Sequence, residues 1–217
     1  MLSYYRAVRK ASKQIAQAVN HTVEAIRDGR VEQEPAMTDR LLGSIEESLQ
    51  GFTTNGIRWT AKTLTDRGRG AQETEFGADF LGALNIQLPD FKVNKGFLAQ
   101  AKKAKVFKKA EMATLRSQCE KMLKFSPDSF VFFYGPSEMY VVPAISIAGS
   151  ETSPDQHYNR SVQRFFEEHL ECFIGDGSIR SATPGTLASL REQANARSAL
   201  LISAEDEWAS LPDEWDS

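Results

Sequence analysis

The chain has 217 residues, a formal charge of −3, 41% hydrophobic and 25% charged residues, which is the balance of an ordinary globular protein. Its longest apolar runs, 130–134 and 140–144, are too short to span a bilayer. The first twenty residues mix Arg6, Arg9, Lys10 and Lys13 with apolar side chains and lack the continuous apolar stretch expected of a secretory signal. Two cysteines, Cys119 and Cys172, with no CxxC, argue against a disulfide framework and a zinc site and fit a reducing cytoplasm.

In chain order, Tyr4, Val8, Ala11, Ile15, Ala18 or Val19, Thr22 and Ile26 recur at three- and four-residue steps. They predict an amphipathic helix over 4–27, ended by Asp28-Gly29. The apolar stripe has two possible partners, the chain's own core or a second chain. Another helix begins at Thr38 as N-cap, with Pro35 just outside it, buries Leu41, Leu42, Ile45 and Leu49, and stops at Gly51. Alternation over 57–64 predicts a strand, followed by a charged, glycine-bearing loop over 65–72. Strands over 78–88 and 96–101 enclose a turn at 89–94. Residues 109–125 form a helix with Met112, Leu115, Cys119, Met122 and Leu123 on one face. Strands over 129–134 and 139–147 flank Gly135-Pro136-Ser137. Helices over 162–173 and 186–201 follow, and an acidic tail begins at 204. Phe165 and Phe166 read as core, and His169, within Glu167-Glu168-His169-Leu170-Glu171, as part of an exposed polar face. The order implies an α/β fold, a mixed sheet flanked by helices. Three regions are expected: an N-terminal amphipathic helix (1–33), a core (34–150), and C-terminal helices with the tail (151–217).

The informative stretch is Glu75-Phe76-Gly77-Ala78-Asp79-Phe80-Leu81-Gly82, followed by Gly96-Phe97-Leu98-Ala99-Gln100-Ala101-Lys102. Asp79 interrupts an apolar strand. Gln100 and Lys102 stand two apart, so they share a face of theirs. Polar groups at such positions are costly to bury unless they pair or bind an ion. Adjacent strands would bring Asp79 and Lys102 within a few ångströms of each other. Oxygen donors from Asp and Gln suit a hard cation, Mg²⁺ or Mn²⁺. A lysine beside them can stabilise charge developing at a phosphate. A structural Asp79–Lys102 ion pair and a core amide at Gln100 are the plainer alternatives.

These residues resemble the PD-(D/E)xK nuclease superfamily, which includes restriction enzymes, resolvases and recombination nucleases. The family core runs helix–strand–strand–strand–helix–strand, with an Asp on the second strand and (D/E)xK on the third. The resemblance covers roughly 34–147 and implies a restriction-endonuclease-like αβββαβ core. Asp79 would be the first acid and Lys102 the lysine. Gln100 departs from the usual second acid, as in the QxK branch. The family often adds a helix-borne Glu, which implies Glu34, with Glu46 as the alternative, so that Asp79, Gln100 and Glu34 would hold the metal. Glu75, and less so Glu73, would orient a water or Lys102.

Charge is uneven along the chain. Residues 1–150 carry 21 Lys and Arg against 16 Asp and Glu, and residues 151–217 carry 5 against 13. Lys92, Lys95, Lys103, Lys105, Lys108 and Lys109 surround Lys102 within eighteen positions, and Arg67 and Arg69 lie in the glycine-bearing loop. Such a cluster would contact phosphates. No P-loop, GxSxG or HExxH occurs. The expected activity is metal-dependent cleavage of double-stranded DNA, and the GADFLG…FLAQAK phrasing looks like nuclease effectors of bacterial anti-phage defence. A junction resolvase or repair nuclease, and a non-catalytic nucleic-acid-binding or assembly subunit, are the alternatives. One site cuts one strand, so a homodimer is expected, or a partner protein that senses and regulates.

Overall fold

The computed structural model describes residues 2–31, 33–65, 77–135 and 137–208. Its elements are α1 (Leu2–Arg27), α2 (Glu34–Leu49), β1 (Phe52–Thr54), β2 (Ile57–Thr65), β3 (Ala78–Leu88), β4 (Phe91–Lys103), α3 (Lys109–Phe125), β5 (Ser129–Tyr134), β6 (Met139–Pro143), α4 (Ala144–Ala148), β7 (Arg160–Ser161), α5 (Val162–Leu170), α6 (Pro184–Gln193) and β8 (Ala196–Asp206). The strands form one mixed sheet in the order β1-β2-β8-β3-β4-β5-β6-β7. β3 is antiparallel to β4 and parallel to β8, and β4 is parallel to β5. The α/β architecture with helices flanking a mixed sheet is as the sequence implies.

Alternation along the strands sorts side chains onto two faces. Trp59, Phe80, Leu84, Phe97, Phe132, Leu200 and Ile202 pack with α1, α2 and α5. Leu81, Leu98, Val131, Phe133 and Leu201 pack with Leu115, Cys119 and Met122 of α3, Ile147 of α4 and Leu187 of α6. Phe97 is central to the first face. Its ring meets Phe80, Phe130, Phe165 and His169 edge-on and lies stacked against Phe132. It also lies over Gly82, its register partner, where an added Cβ would stand 2.3 Å from the ring. Only glycine leaves that space.

The apolar stripe of α1 is used within the chain. Ala7, Val8, Ala11, Ile15, Val19 and Val23 are buried in the first-face core, each larger aliphatic contributing about 1.5–3 kcal/mol. A second chain would have to use another surface. Among the described residues no helix is long and apolar enough to cross a membrane.

Several elements differ from expectation. The helix expected over 186–201 ends at Gln193. Asn195 takes a left-handed turn (φ 47°), and the following residues enter the middle of the sheet as β8. The expected C-terminal helices therefore include a central strand, and the start of the expected tail, 204–206, belongs to it; residues 209–217 lie outside the described residues. The turn expected over 89–94 is only Pro89-Asp90, because Leu88 already pairs with Phe91. Pro143 ends the strand expected over 139–147, and α4 follows. α2 starts at Glu34, not Thr38. Pro35 sits in its first turn, where no N–H is needed, and Thr38 donates to the Glu34 carbonyl at 3.1 Å.

His169 is a further correction. It is fully buried, stacked on Phe165 and edge-on to Phe97, with Nδ1 3.3 Å from the Ile174 carbonyl. Burial, aided by the charge of Lys95, pushes its pKa down to about 3. The imidazole is therefore neutral in the folded chain, whereas the unfolded chain binds a proton near pH 6.5. Stability from this group is present above pH 6.5 and is lost as pH falls from 6.5 towards 3, by up to about 1.4 kcal/mol per pH unit. His169→Gln keeps a donor for Ile174 and removes the titration. Urea unfolding of both proteins from pH 7 to 4.5 should show the wild type losing stability more steeply, and parallel curves would contradict it.

Candidate active site

The β3–β4 ladder ends at the pair Phe80↔Ala99, while β4 stays paired with β5 as far as Lys103↔Tyr134. Past Ala99 the β3–β4 seam is held by side chains. The Ala101 amide donates to Asp79 Oδ2 at 2.7 Å, and Gln100 Nε2 donates to the Gly77 carbonyl at 3.2 Å. Alternation puts Asp79 on the face of Leu81, and Gln100 and Lys102 on the face of Leu98. Asp79, Gln100 and Lys102 therefore converge where the two strands part.

α2 closes this end of the sheet. Glu34, in its first turn, accepts from Lys102 Nζ at 3.2 Å and from the Lys103 amide at 3.3 Å. An acid in that turn also meets the positive end of the helix dipole. Of the two candidate helix acids, Glu34 is the one at the site. Glu46 accepts from the Thr63 amide at 3.0 Å and so serves β2.

Asp79 is half-buried as a residue, with its carboxyl set deep. Burial raises its pKa above the ordinary carboxylate value. The Lys102 charge, the Ala101 amide and the Arg197 charge oppose this, and Glu34 adds to it. Gln100 is 1% exposed. Its bond to Gly77 decides which end of the amide faces which way, and the buried Oε1 is left without a hydrogen-bond donor. An unsatisfied buried acceptor costs about 1–3 kcal/mol; a hard cation or an ordered water would satisfy it.

By donor type, the Asp79 carboxylate and the Gln100 amide oxygen suit a hard cation such as Mg²⁺ or Mn²⁺. They do not make a closed cage: among the described residues no three Asp, Glu, His or Cys side chains converge to hold a metal. Both oxygens of Glu34 are engaged, so its part as a ligand would require Lys102 to release it.

Three further residues reach this site without having been marked by the sequence. Asp39 of α2 accepts from Arg197 Nη2 at 2.8 Å and lies 3.5 Å from Ser198 Oγ. Tyr134, at the end of β5, is buried, and its hydroxyl has no hydrogen-bond partner of ordinary geometry, although Thr38 lies beside it. Burial and the nearby Asp79, Glu34 and Asp39 keep the phenol protonated. No local pattern marks any of these three; they meet through pairings over long stretches of chain.

The lysines divide. Lys95 is a correction: it is 4% exposed, its Nζ donates to the Ile174 carbonyl, and burial lowers its pKa. It is a core residue, not a phosphate contact. Lys92 is a second correction. It is exposed but lies ten strand residues from Lys102, about 30 Å away at the rise of a strand. Lys103, Lys105, Lys108 and Lys109 follow Lys102 directly. Lys105 pairs with Glu111 at 2.7 Å, and Lys108 caps α3. Glu75, Glu73, Arg67 and Arg69 lie outside the described residues.

A carboxyl whose pKa rises on folding disfavours the folded state once ionised. The penalty is absent below the ordinary carboxylate range and grows as pH rises through it. Asp79→Asn keeps an acceptor for Ala101 and removes the charge. At pH 7 it should stabilise the chain by about 1 kcal/mol, and at pH 4 by less. Thermal melts at the two pH values check this; a destabilised variant at pH 7 would show that the carboxylate holds the strands together more than burial strains it.

No family model, curated protein or solved structure matches the chain.

Proposed function

We propose that the chain is a Mg²⁺- or Mn²⁺-dependent endonuclease that hydrolyses phosphodiester bonds in double-stranded DNA, with the restriction-endonuclease-like core of the QxK branch. The observation that carries this reading is the convergence of Asp79, Gln100 and Lys102 where β3 and β4 part, with Glu34 on Lys102 although 68 positions separate the two. A divalent cation there would polarise the phosphoryl oxygen and lower the pKa of its water. Asp79 and the Gln100 oxygen would hold that cation. The Lys102 ammonium would stabilise the charge that develops on the phosphate, and Glu34 would keep the ammonium aimed at it. Lys103, Lys105, Lys108 and Lys109 would contact the flanking backbone.

The resemblance of GADFLG…FLAQAK to effector modules supports a place in bacterial anti-phage defence. A double-strand break would need two such sites, from a second copy of the chain or from a partner that also senses and regulates.

Plasmid cutting with Mg²⁺, with Mn²⁺ and in EDTA tests the activity. Cleavage is expected with either metal and not in EDTA. Asp79→Ala and Lys102→Ala should abolish turnover, Gln100→Ala should be severely impaired, and Gln100→Glu should cut with an altered metal preference. Wild-type rates in Lys102→Ala, or cutting in excess EDTA, would overturn the assignment.

DNA affinity separates the lysines. Lys103→Ala and Lys105→Ala should each weaken binding and lower the slope of log affinity against log salt by about one. Lys92→Ala, at the far end of β4, should change neither. Equal effects from all three would mean that DNA runs along the whole strand.

A further inference from the structure

Arg197 completes a row of polar groups across three strands. Leu200 and Ile202 of β8 pack on the first face, and Ala196, Ala199 and Leu201 on the second, so alternation is broken where β8 begins; the Arg197 guanidinium reaches Asp39 of α2, and its charge acts on Asp79. In register, Phe80 of β3 stands beside Ser198 of β8 on one side and Ala99 of β4 on the other. Arg197, Asp79 and Gln100 are therefore abreast, and Asp79 has a cation on each side.

Each of those cations is held by an acid of α2: Lys102 by Glu34, Arg197 by Asp39. The two pairs are alike in exposure. The cations are 18% and 20% exposed, the acids 37% and 39%. The Arg197–Asp39 pair also borders a cavity of about 550 Å³, lined further by Glu46, Thr63 and Thr65. A tether between a helix and a strand does not need a guanidinium that also borders a cavity and acts on the Asp79 charge. A planar guanidinium suits two oxygens of one phosphate.

Resting on the nuclease reading, we propose that Arg197 is a second phosphate clamp of the same site and binds the phosphodiester next to the one being cut. Asp39 holds the guanidinium until DNA displaces it. Arg197 and Lys102 rise from strands two spacings apart and two residues out of step, about 12 Å between their Cα atoms. From that separation the two long side chains can each reach a phosphate of their own. Asp39 then competes with DNA for the guanidinium, and its removal should strengthen binding. A purely structural pair predicts the opposite sign.

Binding of a short labelled duplex in EDTA, over a range of salt, and cleavage in Mg²⁺ are measured for wild type, Asp39→Asn, Arg197→Ala and Arg197→Lys. Asp39→Asn should bind about fivefold more tightly. Arg197→Ala should bind at least about fivefold more weakly, as loss of roughly 1 kcal/mol implies. Its salt slope should fall by about one, and its loss should appear in KM rather than kcat. Arg197→Lys should recover the salt slope but only part of the affinity, which keeps the test open if the alanine variant folds poorly. A wild type that cuts DNA while Asp39→Asn binds no better and Arg197→Lys matches wild type in affinity and slope would overturn the clamp and leave the nuclease reading standing. A wild type that neither binds nor cuts would overturn both.

Discussion

The Ala101 amide is the joint on which the polar end of the sheet depends. Along most of β4, main-chain groups bond main-chain groups of β3. At Ala101 the acceptor is a side chain, Asp79 Oδ2, and one position earlier the Gln100 side chain takes over the Gly77 carbonyl. Replacing ladder bonds with side-chain bonds lets the strands part without leaving backbone groups unsatisfied. The gap is what brings an acid, an amide and a lysine to one spot. Because β4 remains paired with β5 beyond this point, the parting does not loosen the sheet as a whole.

The same place carries the chain's electrostatic strain. Burial disfavours the charged form of Asp79, and Gln100 presents a buried oxygen with no donor. Two carboxylates elsewhere are tied off. Glu168, nearly buried, is gripped by Arg160 and Arg164. Asp176 accepts from Ser126 and Ser178, bonds that lower its pKa. Buried groups without a partner occur elsewhere too, as at Ser12, Trp59 and Arg191, but here an orphaned acceptor stands beside a carboxyl whose charge is disfavoured, a combination to which a bound ligand would supply the missing partner.

What could be read from sequence was whatever short-range pattern determines. Alternation and buried runs placed β3, β5 and α3 with the bounds they have, and Asp79, Gln100 and Lys102 stood out as polar residues in apolar strands. Glu34 came from family resemblance, since nothing local ties it to a lysine 68 positions on. β8 was misread because a continuous apolar run after a helix has no period that separates more helix from a buried strand; the left-handed Asn195 was the stop signal. Lys95 and Lys92 were misjudged because charge density along a sequence ignores extension, and a strand spreads neighbours over tens of ångströms. His169 could have been found: with Val162, Phe165, Phe166 and Leu170 it continues a helical stripe that the acids around it obscured. Asp39 and Arg197 could not, because their meeting depends on where β8 is inserted.

That insertion has a consequence during synthesis. β8 fills the slot between β2 and β3, and Ala78 pairs with Ala196. A nascent chain that has left the ribosome only as far as α6 has made both neighbours of the slot and nothing to fill it. It carries two apolar strands with unpaired edges, the kind of surface that invites intermolecular pairing. The long separation also makes closure of the sheet a slow step. Translation must run on to 206 before the strand bearing Asp79 gains its second neighbour, so the polar end of the sheet matures late, and truncation or frameshift inside β8 would leave a sticky, open-edged fragment in place of a shortened protein.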